Sequence, residues 1–176
     1  MLNTTHSDAR TRLALPTDAE TRGTDDHHES LRLWLRLLTC TQLIEREIRA
    51  RLRERFSITL ARFDLMAQLE RHPQGLRMGE LSRRLMVTNG NLTGLIERLV
   101  QEGLVSRAAS ATDRRTQIVR LSAAGRRALH AMAPEHERWI DGMFAELSLD
   151  DRTQLHALLG KLRGSIRQSL AEDDQP

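Results

Sequence analysis

A chain of 176 residues with 39% hydrophobic and 29% charged side chains has the make-up of one globular domain with room for a real core. No apolar run approaches the ~18 residues needed to cross a bilayer, which excludes a membrane-spanning helix. A single cysteine, Cys40, excludes an internal disulfide and suits a reducing cytoplasm.

The net charge is +3, from 27 basic and 24 acidic side chains, and it is unevenly spread. Residues 1–29 hold Arg10, Arg12 and Arg22 against Asp8, Asp18, Glu20, Asp25, Asp26 and Glu29, a charge of −3, which leaves +6 on the rest. A mildly positive body suits contact with phosphate. With no tyrosine and 3% aromatic residues there is little on which to stack unpaired bases, which argues against a single-strand or RNA binder.

Residues 1–29 lack periodicity and lack the apolar stretch of a secretory signal, and they read as a disordered tail. His27-His28 reads as part of that solvated tail, not as a metal site. Leu31 to Phe56 reads as one long helix, with Leu31, Trp34, Leu35, Leu38, Leu43, Ile44, Ile48 and Leu52 as its apolar stripe. Its first half, with Leu31, Leu33, Trp34, Leu35, Leu37 and Leu38, is apolar nearly all round and is expected to pack against a second chain. Its second half, Arg46 to Arg55, is strongly charged and is expected to be solvated. Thr59 is expected to cap a helix over Leu60–Arg71, with Phe63, Met66, Ala67 and Leu69 inward. His72-Pro73-Gln74-Gly75 makes a turn, and Leu76-Arg77-Met78 a short strand.

Gly79 is expected to cap the next helix, which is short and carries Leu81 and Leu85 on one face. Another helix follows Met86-Val87. Thr88, Asn89 and Asn91 mark its start, being short polar residues able to satisfy free backbone N–H groups. Leu92, Leu95, Ile96, Leu99 and Val100 form its apolar set, and Gly103 ends it. Leu104-Val105 and Ile118–Leu121 read as two strands. The polar segment between them, Ala108 to Arg115, ends in Asp113-Arg114-Arg115. Helix, turn, helix and a hairpin with a basic tip make a winged helix-turn-helix, a module that lays its second helix in the DNA major groove.

Ser122 is expected to cap a long helix from Ala123 towards Leu147, with Leu129, Met132, Trp139, Ile140, Met143 and Phe144 on its apolar side. Pro134 is expected to kink or interrupt it. Ser148-Leu149-Asp150-Asp151 reads as a break and a new cap. The last helix carries Leu155, Leu158, Leu159, Leu162, Ile166 and Leu170, a sustained apolar stripe. The fold class is thus mainly α with a small β wing. Residues 58–122 form the DNA-binding domain, 30–57 with 123–170 a helical dimerisation region, and 171–176 a tail. Two apolar helices without a partner in the DNA-binding module point to a symmetric homodimer.

The run Leu85-Met86-Val87-Thr88-Asn89-Gly90-Asn91-Leu92-Thr93-Gly94-Leu95, followed by Glu102-Gly103-Leu104-Val105, resembles the recognition-helix region of the MarR family of bacterial transcription regulators. Asp113-Arg114-Arg115, Val119-x-Leu121-Ser122 and Gly125 resemble that family's wing signature, D-x-R-x-x-x-V-x-L-[ST]-x-x-G. The resemblance extends in element order over roughly residues 30 to 170. It implies a cytoplasmic homodimer that binds a palindromic operator in double-stranded DNA, with no cofactor. It also implies a small aromatic or acidic effector, held between the dimer helices and the DNA-binding lobe by Trp34, Leu38, Arg62, Phe63, Met66, Trp139 and Met143. The Met86–Asn91 run looks most like regulators of aromatic-acid catabolism, some of which answer to hydroxycinnamoyl-CoA thioesters; a repressor released by an aromatic acid or its CoA thioester is the expected activity.

The residue chemistry agrees. An Asn at a helix start can pair with adenine N6 and N7, so Asn89 and Asn91 are candidate base readers. Gly90 and Gly94 allow close approach to the DNA, and Thr88 and Thr93 can reach phosphates or a thymine methyl. Capping is the alternative role for Thr88 and Asn91. Arg114 and Arg115 at the wing tip suit the negative potential of a narrow minor groove. Ser82, Arg83 and Arg84 lie where they could touch phosphates or simply form surface. Three other readings are weaker. An enzyme would need a phosphate-cradling glycine loop, a nucleophile elbow or metal-spaced ligands, and none appears; His130 and His136 are not spaced for one helical face. A protein-interaction winged helix needs no basic tip. A thiol-based redox sensor of the same family would place its thiol near Leu35, more than a turn from Cys40, which is expected to be buried and inert.

Overall fold

A computed structural model describes residues 28–109 and 116–173 of the chain. In chain order the elements are α1 (Glu29–Phe56), α2 (Leu60–Glu70), β1 (Leu76–Arg77), α3 (Met78–Leu85), α4 (Asn89–Gln101), β2 (Val105–Ala109), β3 (Gln117–Leu121), α5 (Ala123–Met143) and α6 (Leu149–Asp173). The chain divides between Glu45 and Arg46 into two units, each with its own character.

The described part of the first unit is the start of α1. Leu31, Leu33, Trp34 and Leu38 are exposed along it, although this is the most apolar half of the helix. Cys40 is exposed too, which corrects the expectation of a buried thiol. Thr39 and Thr41 beside it turn their hydroxyls back to the carbonyls of Leu35 and Leu37.

The second unit holds the core. The charged end of α1, expected to be solvated, contributes Ile48 and Leu52, both essentially inaccessible to water. Two apolar residues four apart are enough to seat one helix face while the arginines between them point outward. Thr59 caps α2 by accepting from the Arg62 N–H. From α2, Phe63, Leu65, Met66 and Leu69 turn inward. Ile58 before α2, Leu81 of α3, Leu92, Ile96 and Leu99 of α4, Leu76, Val105 and Val119 of the sheet, and Leu129, Met132 and Trp139 of α5 are buried with them. Val100, the last member of the apolar set of α4, is 40% exposed. Burying a leucine-sized side chain contributes about 1.5–3 kcal/mol, so α4 is held on one side by three such anchors.

The sheet is antiparallel in the order β1-β3-β2. Leu76 lies opposite Val119, and the β2–β3 ladder runs from Val105↔Leu121 to Ala109↔Gln117. β2 therefore extends four residues beyond the expected strand end at Val105, through Ser106, Arg107 and two alanines that carry little β signal. Gly75 (φ +84°) makes the turn into β1. α3 starts directly at Met78 without a side-chain cap, so the expected Gly79 cap does not form. α5 runs unbroken through Pro134, ending at Met143 rather than Leu147. Arg152 then ties the corner to α6, donating to the carbonyls of Leu147 and Phe144. Ser148 and Asp151 cap α6 reciprocally through side chain and backbone. Leu158, Leu159, Leu162, Ile166 and Leu170 of α6 are exposed. No helix among the described residues is long and apolar enough to cross a membrane.

Candidate nucleic-acid interface

α3 and α4 meet in a tight turn. Met86 takes the left-handed conformation (φ +51°), and the N–H groups of Met86 and Val87 return to the carbonyls of Arg83 and Ser82. Ser82 closes the same turn from its side chain, donating to the Val87 carbonyl at 2.6 Å. A hydroxyl has one proton, so Ser82 has none left for a phosphate; its role here is to fix the turn. Arg84 is paired with Glu80 (2.8 Å). The hydrogen bond from Arg84 is the first cause holding the Glu80 carboxyl below its usual range. Arg83 is exposed. With Arg77, Met78, Gly79, Glu80, Thr116 and Gln117 it lines an open cavity of about 610 Å³ between α3 and the start of β3.

α4 begins at Asn89. Thr88 is its cap, accepting from the Asn91 N–H. Asn91 is thus the capped residue and not a cap, which leaves its amide side chain free of that duty. Asn89, Gly90, Asn91 and Gly94 are exposed on the side away from buried Leu92, Ile96 and Leu99. Among the described residues, nothing beyond the helix's own neighbouring backbone lies within 4 Å of where a Cβ would stand on Gly90 or Gly94. The fold therefore gives no packing reason for either glycine, although a mid-helix glycine costs about 0.8–1.0 kcal/mol relative to alanine. Thr93 donates its hydroxyl to the Asn89 carbonyl at 2.9 Å, so its outward chemistry is its methyl group. Gly103 (φ +70°) ends the helix region, and the N–H groups of Gly103 and Leu104 return to Val100 and Leu99.

The wing is anchored where its sequence signature lies. Val119 is buried at the centre of the sheet. Ser122 caps α5 by accepting from the Gly125 N–H, and its own hydroxyl donates to the Gly103 carbonyl at 2.7 Å. The backbone of Ser122 donates to Leu104. Asp113, Arg114 and Arg115 lie outside the described residues. Sequence reasoning missed Arg107, exposed on β2, and Arg77 at the cavity; both become visible candidates once the strands are drawn at their true lengths.

The residues assigned to an effector are placed as follows. Phe63, Met66 and Trp139 are buried. Phe63 packs on His136 (ring centroids 4.7 Å apart), and burial holds the His136 pKa below its usual value. Trp139 faces Phe56 and the Arg51 guanidinium. Met143 is half-buried. Arg62 is ion-paired with Glu102. Trp34 and Leu38 are exposed on the first unit. His130 hydrogen-bonds Glu70 at 2.8 Å, so the two α5 histidines have separate partners.

A two-helix unit joined by a tight turn and backed by a three-stranded antiparallel wing is a winged helix-turn-helix. A family model described as "MarR family" matches residues 56–116. The transcriptional activatory protein BadR of Rhodopseudomonas palustris is 31% identical over 132 residues, covering 73% of this chain and 75% of BadR. A MarR family transcriptional regulator from Silicibacter pomeroyi, known from a crystal structure, is 33% identical with a TM-score of 0.69 over 82% of this chain and 99% of that one. Sco3205 of Streptomyces coelicolor, crystallised with DNA, shares the fold at 23% identity and a TM-score of 0.68, over 89% of this chain and 94% of that one. The chain belongs to the MarR family and is a DNA-binding transcriptional regulator, as its turn-helix and wing motifs imply.

Proposed function

We propose that the protein is a homodimeric, ligand-responsive repressor that binds a near-palindromic operator and is released by a small aromatic acid or its CoA thioester. The observation that carries the DNA half of this reading is the exposed face of α4: two amides and two glycines, the glycines with no packing role among the described residues. Sco3205, crystallised in complex with DNA, has the same fold. In a two-fold dimer each copy presents one such helix, so half-sites lie about one helical turn apart, ~10 bp. The unpaired apolar surfaces of α1 and α6 supply the dimer contacts, so that residues 30–57 and 123–170 act as the dimerisation region and 58–122 as the reader. Such a protein works in the cytoplasm, beside the chromosome. BadR is named an activatory protein, so a reporter fused to the operator, with and without the regulator gene, tests the sign. A thermal-shift screen of aromatic acids and their CoA thioesters tests the effector.

The DNA contacts divide by mechanism. Replacing Arg114 with Ala weakens binding to operator and random DNA alike, and it lowers the salt slope of log K by about one unit per lost phosphate-type contact. Replacing Asn89 or Asn91 with Ala costs ~1–3 kcal/mol on the operator and relaxes preference at one symmetric position. Footprinting and titrations across salt measure both. Equal losses of the Asn variants on operator and random DNA would leave α4 as a positioning element only.

Gly94 gives a test with opposite signs. Ala at 94 raises thermal stability, by up to about 1 kcal/mol, since the site is open and helical. The same methyl group stands where the helix approaches the groove, and operator affinity falls about tenfold, the counterpart of ~1.4 kcal/mol. Unchanged affinity in a stabilised variant would show that this face stays clear of the DNA.

A further inference from the structure

Met86 joins α3 to α4 in the left-handed conformation (φ +51°). That conformation crowds the Cβ of an L-residue against the following carbonyl oxygen, so it is ordinarily left to glycine, or to asparagine and aspartate. Among the described residues one other non-glycine residue takes it, Ser57, which is small and polar. Met86 is bulky and apolar. At 92% it is the most exposed of the large apolar residues described.

Two unfavourable terms therefore meet at one position, a strained backbone and an apolar side chain in water. At that exposure the side chain has almost no packing contact with the described residues. The turn is closed by the N–H groups of Met86 and Val87 and by the Ser82 hydroxyl, none of which needs the Met86 side chain. The proposed dimer surfaces do not claim it either, since the other exposed large apolar residues lie on α1 and α6, Val100 apart. What Met86 has beside it is the entry of the reading helix. Val87 follows, then the Thr88 cap, then Asn89 and Gly90, both exposed. In helix-turn-helix modules this end of the second helix meets the base edges. Thymine is the base that presents an apolar group in the major groove, its 5-methyl. An unbranched thioether is long and flexible enough to lie against a methyl group without the fixed aim that a hydrogen bond requires.

We propose that Met86 is a specificity-determining residue that reads a thymine methyl group in each half of the operator. The proposal rests on the DNA reading of α4 given above and adds a second chemistry to it. The amides of α4 select adenine by hydrogen bonding, and the turn ahead of them selects thymine by apolar contact. The contact takes both groups out of water, and it gives a reason for methionine where glycine would fold more easily.

The test uses the full chain and a duplex selected from a random pool by binding to the protein itself. Each thymine of the selected site is replaced in turn by deoxyuracil, which lacks only the 5-methyl group, in both halves at once. The proteins are the wild type, Met86→Gly, Met86→Leu and Thr93→Ser. Met86→Gly relieves the turn and melts no lower than the wild type. A lower melting temperature would give the side chain a role inside the fold and overturn the proposal. For the wild type, deoxyuracil at one symmetric position weakens binding about tenfold, the loss of two methyl contacts. Met86→Gly binds the unmodified site about tenfold more weakly, and deoxyuracil at that position costs it nothing further, as coupled partners require. Met86→Leu keeps most of the wild-type penalty. Thr93→Ser keeps it too, which separates Met86 from the other outward methyl group of this face. If the wild type and Met86→Gly answer alike to deoxyuracil at every thymine, or the selected site holds no thymine whose methyl group matters, the proposal is overturned and the DNA reading of α4 stands. If the protein selects no duplex from the pool, that reading falls and the proposal with it.

Discussion

Replacing Gly125 with Ala should unfold the protein at a markedly lower temperature. A Cβ there would stand 2.0 Å from the Leu104 carbonyl oxygen and 2.8 Å from Leu121 Cδ1. The first of these is backbone, and it already accepts the Ser122 N–H at 3.0 Å, so it has little room to yield. The first turn of α5 must move off the sheet, and the Ser122 cap moves with it. Overpacking costs about 1–3 kcal/mol, more where backbone is struck, and we expect the upper end. The helix-propensity gain of Ala over Gly, ~1 kcal/mol, does not offset it. At ~2–4 °C per kcal/mol for a chain of this size, the net loss of about 2 kcal/mol should lower the melting temperature by about 4–8 °C. Gly142 in the same helix has nothing within 4 Å of its built Cβ, so Ala at 142 should leave the melting temperature level or raise it. Thermal melts of the pair check this. Similar melting temperatures for the two variants would mean that the helix can step aside at no cost.

Placing Asp at both 159 and 162 should give monomers with little operator affinity. Leu159 and Leu162 are 42% and 37% exposed on the single chain and lie outside its buried core. In the proposed dimer it removes two apolar anchors, each ~1.5–3 kcal/mol, and asks two charges to be buried without partners. Operator affinity should then fall ~10²-fold or more, because two half-sites no longer bind as one ligand. Light scattering and operator titration measure the two effects, and a helical circular dichroism signal shows that the chain still folds. A tight dimer would place the interface elsewhere.

The turn-helix and the wing base were legible because their residues have local duties. Thr88 and Ser122 each cap the helix that follows, and Gly103 holds a positive φ. Gly125 is explained by the fold alone, since the carbonyl it must admit lies 21 residues earlier. α1 was the least legible element. Its apolar stripe includes Ile48 and Leu52, which are buried, but the charges around them hid how firmly that half is anchored. The capping duties of Gly79 and Asn91 were misplaced for another reason. A capping residue is defined by backbone angles, and Arg77 and Thr88 hold the extended conformation that precedes a helix. Ser82 looked like a phosphate ligand because its commitment to Val87, five residues on, exists only once the turn has closed. Arg62 was flagged by its chemistry, but its pairing with Glu102 is a contact between distant parts of the chain and no pattern reveals it.

β3 is the middle strand, with β1 leading into α3 on one side and β2 leading out of α4 on the other. Its backbone is therefore laddered to the segments that bracket the whole reading unit. For slow breathing motions this matters: the amides of β3 can meet solvent only when both ladders part, and parting them unseats α3 and α4 together. The wing base and the reading helix then belong to one cooperative folding unit and exchange their hydrogens at one common rate, while the C-terminal part of α6, exposed over residues 156–172, opens alone.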